Sequence, residues 1–140
     1  MTLDLSPLDR AVSQLETFYD LSLQPQTLPV MSEALRMAAI QAFEYSYELS
    51  VKMLRRFLEM TEPNPAVMDD ATFQGLVRLG SERGLLKSEL SVWMEFRRQR
   101  GTTSHAYDAE KAAQVHAAIP AFLEDARFLR DELRRRSATL

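Results

Sequence analysis

From Val30 to about Met60 the chain contains neither glycine nor proline and is rich in good helix formers, so this stretch is expected to form one long helix. Its apolar residues fall on two sides. Met31, Leu35, Ala38, Ala42, Tyr45, Leu49 and Met53 share one face, and Ile40, Phe43, Tyr47, Leu54 and Phe57 share another. A helix that is apolar on two sides has to be covered by more than one neighbour. The segment therefore belongs at the centre of a helical bundle.

The rest of the chain supplies the neighbours. Ser6 is a natural N-cap with Pro7 just inside a first helix, whose Leu8, Val12, Leu15, Phe18 and Tyr19 recur at spacings of three and four. Pro25 and Pro29 bracket a linker, and Thr61-Glu62-Pro63-Asn64-Pro65 stops the long helix. A short helix carrying Phe73, Leu76, Val77 and Leu79 is expected to be capped by Asp69 or Asp70 and broken at Gly80 and Gly84. Ser88 is expected to open the next helix, with Leu90, Trp93, Met94 and Phe96 inward and Arg97, Arg98 and Arg100 in its last turn. Gly101 reads as its C′ residue, and Asp108 reads as the N-cap of a final helix that Pro120 should kink or split. The arginines at its end, Arg127, Arg130 and Arg134 to Arg136, are diluted by Glu124, Asp125, Asp131 and Glu132 and read mostly as a solvated face.

A length of 140 residues, with 46% hydrophobic and 26% charged residues, suits a single globular domain over residues 1–140. The absence of cysteine excludes disulfides, a thiol nucleophile and thiolate metal ligation, and two histidines without an HExxH pattern argue against a zinc site. No metal or other cofactor is expected. The start Met1-Thr2-Leu3-Asp4 does not resemble a signal peptide, and no apolar run reaches bilayer length, so a cytoplasmic location without membrane contact is expected. A net charge of −3 argues against nonspecific coating of nucleic acid, although a local basic site remains compatible with it.

The segment from Phe96 to Asp108 has no apolar period and gathers Arg97, Arg98, Arg100, Ser104, His105 and Tyr107. Arginine offers a planar charged fork to a phosphate, and histidine exchanges protons near neutral pH. On an unbroken helix Arg100 and His105 would diverge by about 140°, so a shared site needs a bend, which Gly101 and Thr102-Thr103-Ser104 could supply. Such a pair suits metal-independent RNA cleavage, in which the neighbouring 2′-hydroxyl attacks phosphorus. Arg-x4-His alone is a weak pattern, and a helix-capping His105 is the blander reading. His116 has no evident partner and reads as structural. Glu44, Glu48 and Lys52 form a polar strip at i, i+4 spacing, read from the residues as a solvated face with one weak ion pair.

Two stretches resemble signatures of one family. Phe43-Glu44-Tyr45-Ser46-Tyr47-Glu48-Leu49-Ser50-Val51-Lys52 is similar to the long-helix signature of the HEPN superfamily, in its nucleotidyltransferase substrate-binding branch. Arg100-Gly101-Thr102-Thr103-Ser104-His105-Ala106-Tyr107 resembles the Arg-Asn-x-x-Ser-His-x-Tyr signature of the same branch, with Gly101 in place of Asn. The resemblance covers nearly the whole chain. It implies an all-α, antiparallel, four- to five-helix up-and-down bundle that forms a homodimer, with Arg and His of both copies facing a cleft at the interface. By the same resemblance Arg100 would hold a phosphate of RNA or a nucleotide, and His105 would transfer protons. Ser104, Glu44, Glu48 and Lys52 would line the cleft, and Tyr107 would receive AMP from a partner, a minimal nucleotidyltransferase. A ribonuclease toxin of a toxin–antitoxin pair is one implied function; a non-catalytic substrate-binding subunit is another. A purely structural helical dimer is the reading that needs no site.

Overall fold

The structure, a computed structural model, describes residues 2–64, 66–69 and 71–139. The elements are α1 (Ser6–Ser22), α2 (Pro29–Thr61), α3 (Ala66–Asp69), α4 (Phe73–Glu82), α5 (Leu90–Thr102), a 3-10 turn (Thr103–His105) and α6 (Ala109–Ser137), with no strand among the described residues. The expected all-α bundle is what forms. None of these helices is long and apolar enough to cross a membrane.

Helix α2 is the axis of the bundle, packing against α1, α4, α5 and α6. Of its two apolar faces, Ile40, Phe43, Tyr47, Leu54 and Phe57 are all buried. On the other face Ala42 and Met53 are buried, while Leu35, Ala38, Tyr45 and Leu49 are partly covered and Met31 is exposed. The N-terminal end of α2 therefore stands clear, with Leu28, Val30, Met31 and Met37 all exposed. At the opposite end the Thr61 hydroxyl donates to the Phe57 carbonyl (2.8 Å) and Glu62 N–H to the Leu58 carbonyl (2.8 Å), closing the helix before Pro63.

The core is built on Phe122 of α6. Its ring lies 5.0 Å from Phe43, 5.3 Å from Phe96, 6.3 Å from Trp93 and 6.4 Å from Tyr47, mostly edge to face. Aromatic pairs in such geometry add about 0.5–1.5 kcal/mol each beyond burial. Because these rings come from α2, α5 and α6, one side chain locks three helices together.

Several helix ends differ from the sequence expectation, some because a neighbouring residue takes the cap and others because a tertiary contact outweighs a local signal. Ser6 is the first helical residue and not the cap; its N–H is taken by Asp4 Oδ1 at 3.0 Å. Helix α4 is capped by Thr72, whose hydroxyl accepts from Gly75 N–H (3.1 Å). Asp69 closes α3, and Asp70 lies outside the described residues. Gly80 does not break α4. It sits inside the helix where an added Cβ would meet Leu54 and Leu86 at 3.2 Å, so it permits close packing, whereas Gly84 (φ +72°) makes the turn that follows the helix. Ser88 does not open α5 either: Glu89 takes the cap position, and both the N–H (3.0 Å) and hydroxyl (2.8 Å) of Ser88 donate to buried Asp125. Burial pushes the Asp125 carboxyl above its ordinary range in spite of these bonds.

Asp108 does cap α6, accepting from Glu110 N–H (3.0 Å) and Lys111 N–H (3.1 Å). Pro120 is carried inside one continuous helix instead of splitting it. The residue is exposed, so the carbonyl it leaves unpaired faces water. The C-terminal arginines are also less free than expected. Arg127 pairs with Glu16 (2.6 Å) and Arg134 with Asp9 (2.7 Å), tying α6 to α1, and Arg136 donates to the Arg83 carbonyl.

His116 has a partner after all. Its Nε2 lies 2.8 Å from Ser22 Oγ, whose own hydroxyl donates to the Tyr19 carbonyl, so the serine oxygen accepts the imidazole N–H. The Tyr19 ring lies 5.0 Å away. Burial, then the charge on Arg36, holds the His116 pKa below its ordinary value. The unfolded chain thus binds a proton here more readily than the folded one, and stability should fall as pH drops below about 6.5. Urea denaturation between neutral and mildly acidic pH should show this loss in the wild type and a flatter profile in His116→Gln.

Candidate functional site

The α5 C-terminus, the 3-10 turn and the start of α6 form one continuous surface segment packed beside the middle of α2. Helix α5 does not stop at Gly101. It runs on through Thr102 and tightens into the 3-10 turn, without the left-handed C′ residue expected there. The hydroxyl run explains how. Thr102 donates to the Arg98 carbonyl (3.1 Å), Thr103 to the Arg100 carbonyl (2.7 Å) and Ser104 to the Gly101 carbonyl (3.1 Å). Three side chains thus add hydrogen bonds to carbonyls in the last turns of α5. Thr103 is buried among them, with the neighbouring Ala106.

The three arginines of this helix have separate fates. Arg98 grips Glu95 through Nε (2.8 Å) and Nη2 (2.7 Å), and with Gln99 it drives the Glu95 carboxyl down to about 2. The Arg97 guanidinium lies over the Phe73 ring, 4.9 Å from its centroid. Only Arg100 reaches α2. Its Nε (3.0 Å) and Nη2 both donate to Glu48 Oε1, Nη2 also lies 3.4 Å from Glu44, and Nη1 is 3.5 Å from the Thr103 hydroxyl. The hydrogen bond to Glu48 raises the pKa of Arg100 above its already high value, so its charge is permanent.

This arrangement corrects the reading of the polar strip on α2. Glu48 pairs with Arg100 and not with Lys52, which is exposed and forms no ion pair among the described residues. Glu44 and Glu48 hold the arginine that the motif singles out. Tyr47, read from the sequence as core, also belongs to this neighbourhood. Its ring is buried, and burial pushes its phenol up to about 12 although the charges of Arg97 and Arg100 pull the other way. The signal that could have exposed it is its place between Glu44 and Glu48 on α2. Thr103 was likewise read only as part of a bend.

His105 and Tyr107 are both exposed, with ring centroids 6.1 Å apart, and Tyr107 is 84% accessible. Within one copy no hydrogen bond joins Arg100 to His105 among the described residues; Arg100 faces α2 while His105 and Tyr107 face solvent. Beside them a groove of about 540 Å³ runs along α2, lined by Ala34, Met37, Gln41 and Glu44 and by Thr103. It joins the exposed apolar end of α2 to the Arg100 ion pair. The chemistry on offer is a permanent cation with a competing carboxylate, an accessible imidazole and an accessible phenol.

Comparison with known proteins identifies the family and the fold. Residues 3–135 match the model of a family described as nucleotidyltransferase substrate binding protein like. A probable ribonuclease HepT of Haemophilus influenzae is 37% identical over 96% of this chain and 94% of its own. A solved structure from Haemophilus influenzae, described as revealing the fold of a substrate binding domain of a nucleotidyltransferase, superposes with a TM-score of 0.82. It shares 35% identity and covers 94% of this chain and 99% of its own. A crystal structure from Thermus thermophilus gives a TM-score of 0.71 at 27% identity, covering 91% of this chain and 98% of its own.

A Cβ added at Gly101 meets nothing within 4 Å, and the residue is helical. Gly101→Ala should therefore stabilise the protein by about 0.5–1 kcal/mol by removing the entropic cost of a helical glycine. Equilibrium denaturation is the check, and a loss of stability would mean that the glycine has a packing role.

Proposed function

The chain belongs to the nucleotidyltransferase substrate-binding family, within the HEPN superfamily, and on that premise we propose that it partners a minimal nucleotidyltransferase and binds an RNA or nucleotide phosphate at Arg100, Ser104, His105 and Tyr107. The observation that carries this reading is the presentation of the motif. His105 and Tyr107 lie open on a turn braced by the Thr102, Thr103 and Ser104 hydroxyls, which follows directly on the helix end that carries the fixed charge of Arg100. A histidine serving only as packing would be covered.

As a metal-independent ribonuclease, the site would work by transfer to the neighbouring hydroxyl. An imidazole takes the 2′-hydroxyl proton as that oxygen attacks phosphorus, Arg100 offsets the charge gathering on the phosphoryl oxygens, and a proton is delivered to the departing 5′-oxygen. The products are a 2′,3′-cyclic phosphate and a 5′-hydroxyl. In a homodimer the His105 of each copy would supply one of the two proton transfers. The exposed apolar end of α2, running through the groove to Glu44, supports a second copy seated there. The 84% accessibility of Tyr107 supports its role as the residue to which the partner enzyme adds AMP.

A second reading is a non-catalytic subunit that presents a nucleotide to the nucleotidyltransferase. It is favoured by one observation: in this structure the fork of Arg100 is already filled by Glu48. The two readings separate in an RNA digestion with chelator present. The ribonuclease reading expects cyclic-phosphate products that fall by about a hundredfold or more in Arg100→Ala and His105→Ala, with the fold intact. RNA left whole at every pH tested, together with a stable complex with the nucleotidyltransferase, would select the second reading. Sedimentation should show a dimer that Met37→Glu, a charge placed in the α2 groove, converts to monomer.

A further inference from the structure

We infer that Glu48 is a two-position carboxylate, closing the Arg100 anion site by occupying it and opening it by passing to Lys52. The inference rests on the reading of Arg100 as the phosphate-binding group and adds how access to it is controlled. The Nε and Nη2 edge of a guanidinium is the edge that grips a phosphate with two parallel bonds. Here both of these donors converge on Glu48 Oε1, and Nη2 also lies 3.4 Å from Glu44. An arriving phosphate meets the Glu48 carboxylate on this edge with Glu44 beside it, and both repel it. It cannot share the same two N–H groups with Glu48, so a two-bond grip on this edge needs the carboxylate to leave.

A place for it to go exists one turn further along α2. Lys52 is exposed, sits four residues after Glu48 on the same helix face and forms no ion pair among the described residues. Glu followed by Lys at i, i+4 is the favourable order for such a pair. The closed contact is itself easy to open, because the Glu48 side chain is 53% and the Arg100 side chain 30% accessible. Exposed ion pairs of this kind hold their partners weakly and are screened by salt. Glu48 therefore tunes the site and does not block it. A ligand with one weakly held charge is turned away, while a more highly charged one displaces the carboxylate.

The test is anisotropy titration of a fluorescein-labelled 2′-O-methyl oligoribonucleotide, which lacks the attacking hydroxyl and stays whole, against full-length protein. Glu48→Gln keeps the shape and removes the charge, and it should tighten binding by about two- to fivefold. Glu59→Gln, an equal loss of charge at an exposed position further along α2, should leave affinity unchanged. Lys52→Met should weaken binding about twofold in the wild type and not at all in the Glu48→Gln background, because its action runs through Glu48. Unchanged or weaker binding in Glu48→Gln overturns the inference, as does an equal gain from Glu59→Gln. A Lys52→Met loss of the same size in both backgrounds overturns the hand-over, since Lys52 would then touch the anion directly. Arg100→Ala separates the two levels. If it weakens binding while Glu48→Gln does nothing, only the carboxylate switch falls; if it changes nothing, the anion site falls and the switch with it.

Discussion

The contact on which the rest depends is apolar: Phe122 among the rings of Phe43, Tyr47, Trp93 and Phe96. Arg100 is one helical turn beyond Phe96 on α5, and Glu44 and Glu48 directly follow Phe43 and Tyr47 on α2. The ring cluster thus decides how far the guanidinium stands from the two carboxylates. An exposed ion pair is too weak to place two helices. The aromatic packing places them, and the charges accept the distances they are given. The consequence is a surface site with buried supports and exposed charged tips.

The parts of this design differ in how visible they were in the sequence. The limits of α2 were nearly plain, since nothing interrupts the stretch from Val30 to Met60 and Pro63 follows it; Pro29, read as linker, is the helix's first residue. Asp108 was equally plain, because its carboxylate caps the helix that starts at the next residue. Two of the failures share a cause. Ser88 has the chemistry of an N-cap, yet buried Asp125, 37 residues away, claims both its donors. Gly80 has the propensity of a breaker, yet Leu54 and Leu86 need the space that its missing side chain leaves. Local preference is worth a few tenths to one kcal/mol; a buried carboxylate or a packed leucine outweighs it, and neither is written near the residue it overrides.

The site shows the same division. Arg100, Ser104, His105 and Tyr107 stand together in the chain and could be read as a group. The partners of Arg100 could not. The i, i+4 rule assigned Glu48 to Lys52 within one helix, while the fold brings a better donor from 52 residues away. Periodicity likewise assigned Tyr47 wholly to the core. Its ring does belong there, but the charges of Arg97 and Arg100 act on its phenol. A hydrophobic pattern records where a side chain's carbon atoms go and says nothing of where its one polar atom ends up.

The two tyrosines show why this matters for function. The phenol of Tyr47 is pushed up to about 12, so at any physiological pH it keeps its proton, and its ring is wedged in the core. It can support the charges around Arg100, but it cannot act as a nucleophile or reach a second protein. Tyr107 is free on every side that a modifying enzyme would need, on a turn whose backbone is held by three hydroxyl bonds. On the proposed reading, a nucleotide added there would bring a phosphate to the turn that carries His105, whose ring lies 6.1 Å from that of Tyr107. On the proposed readings, modification of Tyr107 and sequestration by Glu48 would both limit access of an anion to the motif: one from outside the chain and covalently, the other from within it and reversibly.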